Sequence, residues 1–465
     1  MPFHFKPACV GMAACSLLVA GPSLASAERL ESDLMALFAN GELSLGDVSK
    51  ATMRDRFTAE DIVYETLEGE RLQVERYIVI GNYDNPDEVR LEGVRVEDSL
   101  TELPLLSFES LVLGKPGMAV FTDEAMRETP LHLASFSVDG IALDLNSDLA
   151  SEIVDEFDIH QSSGRLKIAK VRGEALSADA LGMLEFSGVA MHSEDLGDFG
   201  SGSFILERMR IDDLRGMQSE QEEHLGAMLF ENMAIESDAL VASFGNFRVD
   251  GDFNDGEGGI WLETFELDLN RMITLAPPDE RTEMRMVSNV LTDGSGKLAL
   301  DAHFTGRWEE QESHSVLGGD SRITLNDALG LSLDLNLPMV LPENVAPMDA
   351  LRDTRLLDTA TLLGGDIALT LDDEGLLERL VILGATMEGV PEAQIVEMAR
   401  TQAQGFGMMF GPEIQSVMMG MVELLEGSAS QLMLDITLPT ESNLQTYTED
   451  LLGLPSQLSV QVETR

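Results

Sequence analysis

A hydrophobic phrase that returns between Leu91 and Leu269 constrains this chain more than any other feature. It reads as a bulky apolar residue, two spacers, a second apolar residue, one variable residue and a third apolar residue. Instances are Leu91-Glu-Gly-Val94-Arg-Val96, Phe108-Glu-Ser-Leu111-Val-Leu113, Phe186-Ser-Gly-Val189-Ala-Met191, Leu206-Glu-Arg-Met209-Arg-Ile211 and Phe230-Glu-Asn-Met233-Ala-Ile235. Phe136-Ser-Val-Asp-Gly140-Ile141-Ala-Leu143 is an expanded copy. Asp or Glu usually follows. The last two apolar positions alternate as one face of a strand does, and the polar tail suits a turn. Units of this kind stack edge to edge and share one continuous core, although the spacing between copies is irregular.

Beyond residue 290 the alternation is cleaner. Leu298, Leu300, Ala302 and Phe304 share one face of a predicted strand, as do Leu331, Leu333, Leu335 and Leu337. Ile367, Leu369 and Leu371 repeat the pattern, then Leu432, Leu434, Ile436 and Leu438, and finally Leu458, Val460 and Val462. Strands apolar on one side only belong to antiparallel sheets with one face toward water. Helices are predicted at 28–40, where Leu30, Leu34 and Leu37 form a stripe, and at 281–290. Further helices are expected at about 346–363, 391–426 and 443–452, with Gly405 to Pro412 interrupting the second. The expectation is a mainly β chain of the α+β class. Its core is an extended, curved antiparallel sheet built from repeated short strands, with helices packed on one face or end.

Four regions follow: 1–27 a cleaved signal peptide, 28–75 helical and mixed, 76–275 the repeated strands, and 276–465 a sheet with inserted helices. Pro277-Pro278 is the candidate joint if the strands form two β-domains rather than one sheet. The signal reading rests on Lys6, a short apolar run from Val10 to Ala20, and Ala25-Ser-Ala27 before Glu28. It implies an exported, soluble, periplasmic protein. The lipoprotein-like Met12-Ala-Ala-Cys15 is outweighed by the second apolar run and the later cleavage signal. No stretch after the signal is long and apolar enough for a transmembrane segment. Both cysteines, Cys9 and Cys15, fall in the signal, which leaves no disulfide, thiol nucleophile or thiolate ligand.

Against 30 Lys plus Arg stand 83 Asp plus Glu, a net charge of -53 that repels nucleic acid and anionic membrane surfaces. Such a surface suits divalent cations, basic proteins or a salty habitat. With so many acids, a carboxylate pair for hydrolysis can be drawn almost anywhere, so it predicts nothing. The chain shows no catalytic constellation: no nucleophile elbow, no His-Glu-x-x-His, no phosphate-binding loop. His132, His160, His192, His224, His303 and His314 are scattered singly.

Asp250, Asp252, Asn254 and Asp255 invite a calcium reading, but an EF-hand count from Asp250 puts Asp255 and Trp261 where Gly and Glu belong. An ordinary hairpin turn is favoured there, with weak Ca2+ binding the alternative; no cofactor is expected. Met408, Met409, Met418, Met419 and Met421 form the densest methionine cluster, read as packing first, as a pliable ligand or partner contact next, and as a metal site last.

The export signal, the Leu91- and Phe108-type phrases and the alternating C-terminal strands resemble the AsmA-like group of envelope proteins. That resemblance implies a long β-sheet groove and a link to lipid transport or envelope homeostasis. It carries over no functional residue, and the missing N-terminal membrane anchor puts bridging between membranes in doubt. The leading expectation is a non-enzymatic protein that shields an apolar ligand such as a lipid. Leu331, Leu333 and Leu335 would supply the face, and helices carrying Met408, Met409, Met418 and Met419 the cover. The rivals are a scaffold or protein-binding module, including an envelope protein partner, and a carboxylate-based hydrolase.

Overall fold

The computed structural model describes residues 27–51, 55–67, 69–122, 132–147, 163–196, 199–218, 224–252, 256–342, 345, 350, 355–443, 445 and 458–465. The expected signal peptide (apart from Ala27), both cysteines, His160, Asn254, Asp255, part of the expected helix at 346–363 and most of that at 443–452 lie outside the described residues. The chain divides into two compact units, Met1–Asp238 and Ala239–Arg465, so Pro277-Pro278 lies inside the second. Every strand pairing described within either unit is antiparallel.

The first unit opens with helix α1 (Ala27–Leu37) and two short strands, β1 (Glu42–Ser44) and β2 (Val48–Lys50). A meander follows: β3 (Arg56–Glu65), β4 (Glu70–Asn82), β5 (Asn85–Asp98), β6 (Pro104–Gly114), β7 (Leu133–Asp144), β8 (Ser163–Leu176), β9 (Ala180–Asp195), β10 (Gly202–Arg215) and β11 (His224–Ser237). Each strand from β3 onward pairs with the next, and β1 and β2 lie one after the other along the outer edge of β3. Leu30 and Leu34, four apart and so on one helix face, are fully buried against Phe57, Ala59, Ile62, Val79 and Val89. Polar side chains fix the helix in place: Tyr83 donates to Asp33 at 2.8 Å and Arg29 meets Asp84 at 2.7 Å.

The last two apolar positions of the repeated phrase do share a strand, and its polar tail reaches the strand end, as at Glu97-Asp98 and Asp144. The phrase also carries a step within the strand. In β5 the apolar side chains Val89, Leu91, Val94 and Val96 are buried or half-buried, and their parity flips between Leu91 and Val94. A regular strand would put those two residues on opposite faces. Here Gly93 takes a φ of +62°, and Leu91, Val89 and Val94 all join the same core.

The same step recurs on every strand from β3 to β11, in register. Val74 pairs with Val94 and Arg76 with Glu92, while Glu75 and Gly93 between them make no ladder pair. Continued across the unit, the skipped residues form one transverse row: Asp61, Glu75, Gly93, Glu109, Gly140, Ala169, Gly188, Glu207 and Asn232. Alternate members, Asp61, Gly93, Gly140, Gly188 and Asn232, have φ between +50° and +67°. These are the residue types that reach the left-handed region most cheaply. A Cβ at Gly93 would stand 2.3 Å from Cδ of Glu75, and one at Gly140 2.6 Å from Cγ of Glu109, so a side chain there would also have to displace a glutamate arm. Because neighbouring strands step together, the register is unchanged across the row.

The second unit is a meander of β12 (Val241–Asp250), β13 (Glu257–Asp268), β14 (Lys297–Glu310), β15 (Ser315–Leu325), β16 (Leu329–Val340), β17 (Thr361–Asp373), β18 (Gln431–Ser442) and β19 (Ser459–Thr464). Helix α2 (Arg281–Leu291) precedes β14, and α3 (Leu376–Glu388), α4 (Glu392–Phe410) and α5 (Pro412–Leu425) stand between β17 and β18. The predicted alternation of β14, β16, β17 and β18 holds through the middle of each ladder: Leu331, Leu371 and Leu432 align, as do Leu333, Leu369, Leu434 and Val462. Trp308, Leu337, Met339, Leu362 and Leu438 build a second core.

Two expectations change, and two elements were not foreseen. The break expected over Gly405–Pro412 narrows to Gly411 alone, at φ 103°; α4 runs on to Phe410. The helix expected at 346–363 stops before Thr361, which begins β17. Strand β15 was hidden by Gly318, Gly319 and Asp320, which interrupt its alternation. Helix α3 was hidden because Leu376, Leu377, Leu380, Val381 and Ile382 crowd it on several sides and leave no single stripe.

Candidate functional site

On the first unit the transverse row divides one apolar face into bands. Immediately on one side run Ala59, Tyr77, Leu91, Leu111, Val138, Val171, Phe186, Met209 and Phe230, each paired with the next. On the other side run Ile62, Val74, Val94 and Phe108, and then Ile141, Ile168, Val189, Leu206 and Met233. One residue pair further out on each side the positions are again apolar from β3 to β11, with Gly173 the one gap. The Phe136 ring fills that gap, since a Cβ on Gly173 would lie 2.2 Å from it.

Cover over this face is uneven. From β3 to β5 it is closed by α1 together with Ala119 and Val120, and Tyr77 donates its hydroxyl to the Ala119 carbonyl at 2.6 Å. Burial, with the Asp33 charge adding to it, pushes the Tyr77 hydroxyl pKa up, so it stays a donor. From β7 to β11 the inner bands are mostly half-buried, with Val171 and Leu206 buried. Among the described residues of this unit α1 is the only helix, and it packs on β2 and β3.

The opposite face is polar and laddered by charge. Next to the row run Glu60, Arg76, Glu92, Ser110, Asp139, Lys170, Ser187, Arg208 and Glu231. Lys170 reaches Asp139 at 3.1 Å, and Ser110 donates to Asp139 at 3.0 Å. Glu185 is the anchor: it is 5% exposed and held by Arg172 at 2.8 Å and Arg208 at 2.9 Å. Burial alone would raise its carboxyl; the hydrogen bonds and charges of Arg172 and Arg208 outweigh that and hold its pKa below the ordinary value. A shallow concavity of about 990 Å³ on this face is lined by Glu75, Arg76, Arg90, Glu92 and Asp139 among others. Arg76 pairs with Glu92 and Arg90 with Glu88, so cations and anions there already answer each other.

A scan against protein-family models finds no match, and no curated protein matches the sequence. The site therefore rests on its own geometry.

The sequence-derived candidates fall in the second unit. Leu331, Leu333 and Leu335 are half-buried on β16, between Ile323, Ser321 and Gly319 of β15 and Leu371, Leu369 and Ile367 of β17. Helix α5 lands two strands away: a Cβ on Gly420 would lie 2.6 Å from Leu432, and Thr464 donates to Glu423. Met418 and Met419 adjoin Gly420 and are half-buried. So α5 sits over the same transverse rows as Leu331 and Leu333, on β18 and β19. Met408 and Met409 stand apart at the end of α4, 86% and 74% exposed. Asp250 pairs with Arg248 at 2.6 Å, and no cluster of three His, Cys, Asp or Glu fit for a metal occurs among the described residues. No described helix is long and apolar enough to cross a membrane.

The inner bands of β7–β11 were not among the sequence-derived candidates. Their signal was present: each three-residue step is flanked by apolar residues two further out, as in Val89-Arg-Leu91-Glu-Gly-Val94-Arg-Val96.

Proposed function

We propose that this chain is a non-enzymatic periplasmic protein that shields an apolar ligand of the acyl-chain class against the banded face of β7–β11. The observation that carries the reading is the uninterrupted apolar register there, from Val138 through Val171, Phe186 and Met209 to Phe230, beyond the reach of α1. Strands spaced about 4.8 Å apart make this band about 19 Å long, comparable to the roughly 15 Å depth of one leaflet of acyl chains. Burial of acyl chain against it supplies the driving force, about 0.8 kcal/mol per methylene. The expected AsmA-like kinship and the signal segment support the same compartment and ligand class.

Native mass spectrometry of protein purified gently from a bacterial periplasm, followed by organic extraction, tests this. An extractable amphiphile in the wild type that is lost in Phe186→Glu, with far-UV circular dichroism unchanged, is the expected result. A clean apo mass with no uptake of a fluorescent fatty acid would overturn it and favour a scaffold that meets partners through its acidic surface.

A further inference from the structure

The hairpin of α4 and α5 ends in a tip that the ligand reading does not use. From Thr401 to Pro412 the chain has no ionisable residue, although 24% of all residues are Asp, Glu, Lys or Arg. Within that stretch Phe406 is 44% exposed, Met408 86% and Met409 74%. Phe406 and Phe410 stack with ring centroids 6.0 Å apart. The root of the hairpin is held: Gly420 rests on Leu432, Val422 and Leu424 are buried, and Arg400 bridges to Glu426. The apolar side chains are thus presented at the end away from the packed root.

The backbone at the tip satisfies itself. Helix α4 continues to Phe410, the Gly411 amide donates to the Gly407 carbonyl at 3.0 Å, and the Gln415 amide donates to the Gly411 carbonyl at 3.2 Å. Hydrocarbon penalises buried charge and unpaired backbone donors; the stretch from Thr401 to Pro412 carries no ionisable residue, and the amide of Gly411 inside it is paired. Methionine side chains adapt to an irregular apolar medium.

We infer that this tip docks on a lipid bilayer, with Phe406, Met408 and Met409 entering the interfacial region of a zwitterionic surface. The net charge of -53 selects against anionic lipid, which the rest of the surface would repel. Insertion is shallow, because Arg400 and Glu413 bound the uncharged stretch. This inference stands apart from the ligand reading, whose residues lie in the other unit.

Flotation of the full chain with phosphatidylcholine vesicles tests it. Wild type is expected to float, and Met408→Glu with Met409→Glu to lower the bound fraction at least tenfold while circular dichroism and any extracted ligand stay unchanged. Phe406→Trp supplies a reporter independent of that variant: its difference emission, taken against Trp261 and Trp308, shifts blue on vesicles and is quenched by brominated lipid. Wild type that does not float overturns the inference, as does equal flotation of the double variant or a difference emission from Phe406→Trp that is indifferent to lipid. A dimer in light scattering that the double variant abolishes, without flotation of either, would also overturn it and assign the tip to a protein contact.

Discussion

The two units solve one problem in different ways. In β16–β18 the apolar residues alternate through the middle of each strand, and three successive helices between β17 and β18 bring α5 down onto β18 and β19. In β3–β11 each strand reverses its apolar parity at a shared transverse row, and the one helix among the described residues packs on the first strands. Strict alternation needs nothing but side-chain pattern. The parity reversal needs a left-handed residue on every second strand, and so it places Gly, Asn or Asp at Gly93, Gly140, Gly188, Asn232 and Asp61. The second unit has an isolated step of the same kind in β13, where Thr264 holds a φ of 52° and a register shift separates Leu262 from Phe265. Thr264 is β-branched and costly there; its amide donates to Asp301 at 2.7 Å and its hydroxyl accepts from the Gly245 amide at 3.0 Å, which offsets the strain.

The comparison breaks most sharply at the row itself. Gly140→Val adds both a φ penalty and a collision with Glu109, and is expected to destabilise the first unit by about 2–4 kcal/mol in urea unfolding. Gly330→Ala in β16, where a Cβ meets nothing nearer than 3.4 Å and φ is not positive, is the control and should stay within about 0.5 kcal/mol. Equal costs at the two sites would remove the distinction between the units.

Leu34→Ala comes next, at about 3 kcal/mol, because the side chain is fully buried and α1 is the sole helical cover of that core among the described residues. Limited proteolysis should then cut near α1 before it cuts in the second unit.

Glu185→Gln is expected to cost about 1–3 kcal/mol by removing charged hydrogen bonds to Arg172 and Arg208. The folded carboxyl titrates below its unfolded value, so its contribution is complete above about pH 4.3 and is lost as pH falls toward the depressed folded value. Chemical unfolding between pH 6 and pH 3 should show a steeper acid loss in wild type than in the variant. The smallest effect has the opposite sign: Thr264→Asn, at a φ that Asn tolerates better, should be neutral to about 1 kcal/mol stabilising in thermal unfolding.

The sequence disclosed the strands of the second unit because period-two alternation is a local property that survives without knowledge of neighbours. Leu331 to Leu337 is legible by itself. The three-residue step in Leu91-Glu-Gly-Val94 was visible too, but a single strand cannot say whether such spacing ends a strand or turns it over. Only the alignment of Gly93 with Glu75 on β4 and Glu109 on β6 shows that the step is shared. For the same reason the expected ligand face was placed on β16, where the pattern was cleanest, and the bands of β7–β11 went unread. The methionines divided likewise: Met418 and Met419 sit beside the packed Gly420, while Met408 and Met409 are exposed, a distinction that composition does not carry.

One measurement separates the two faces directly. A photoactivatable fatty acid, crosslinked to the full chain and mapped by peptide mass spectrometry, should label β7–β11 around Val138, Phe186 and Met209. Labelling concentrated on Leu331, Leu333 and Leu335 of β16, or no labelling that competes with unmodified fatty acid, would contradict the account.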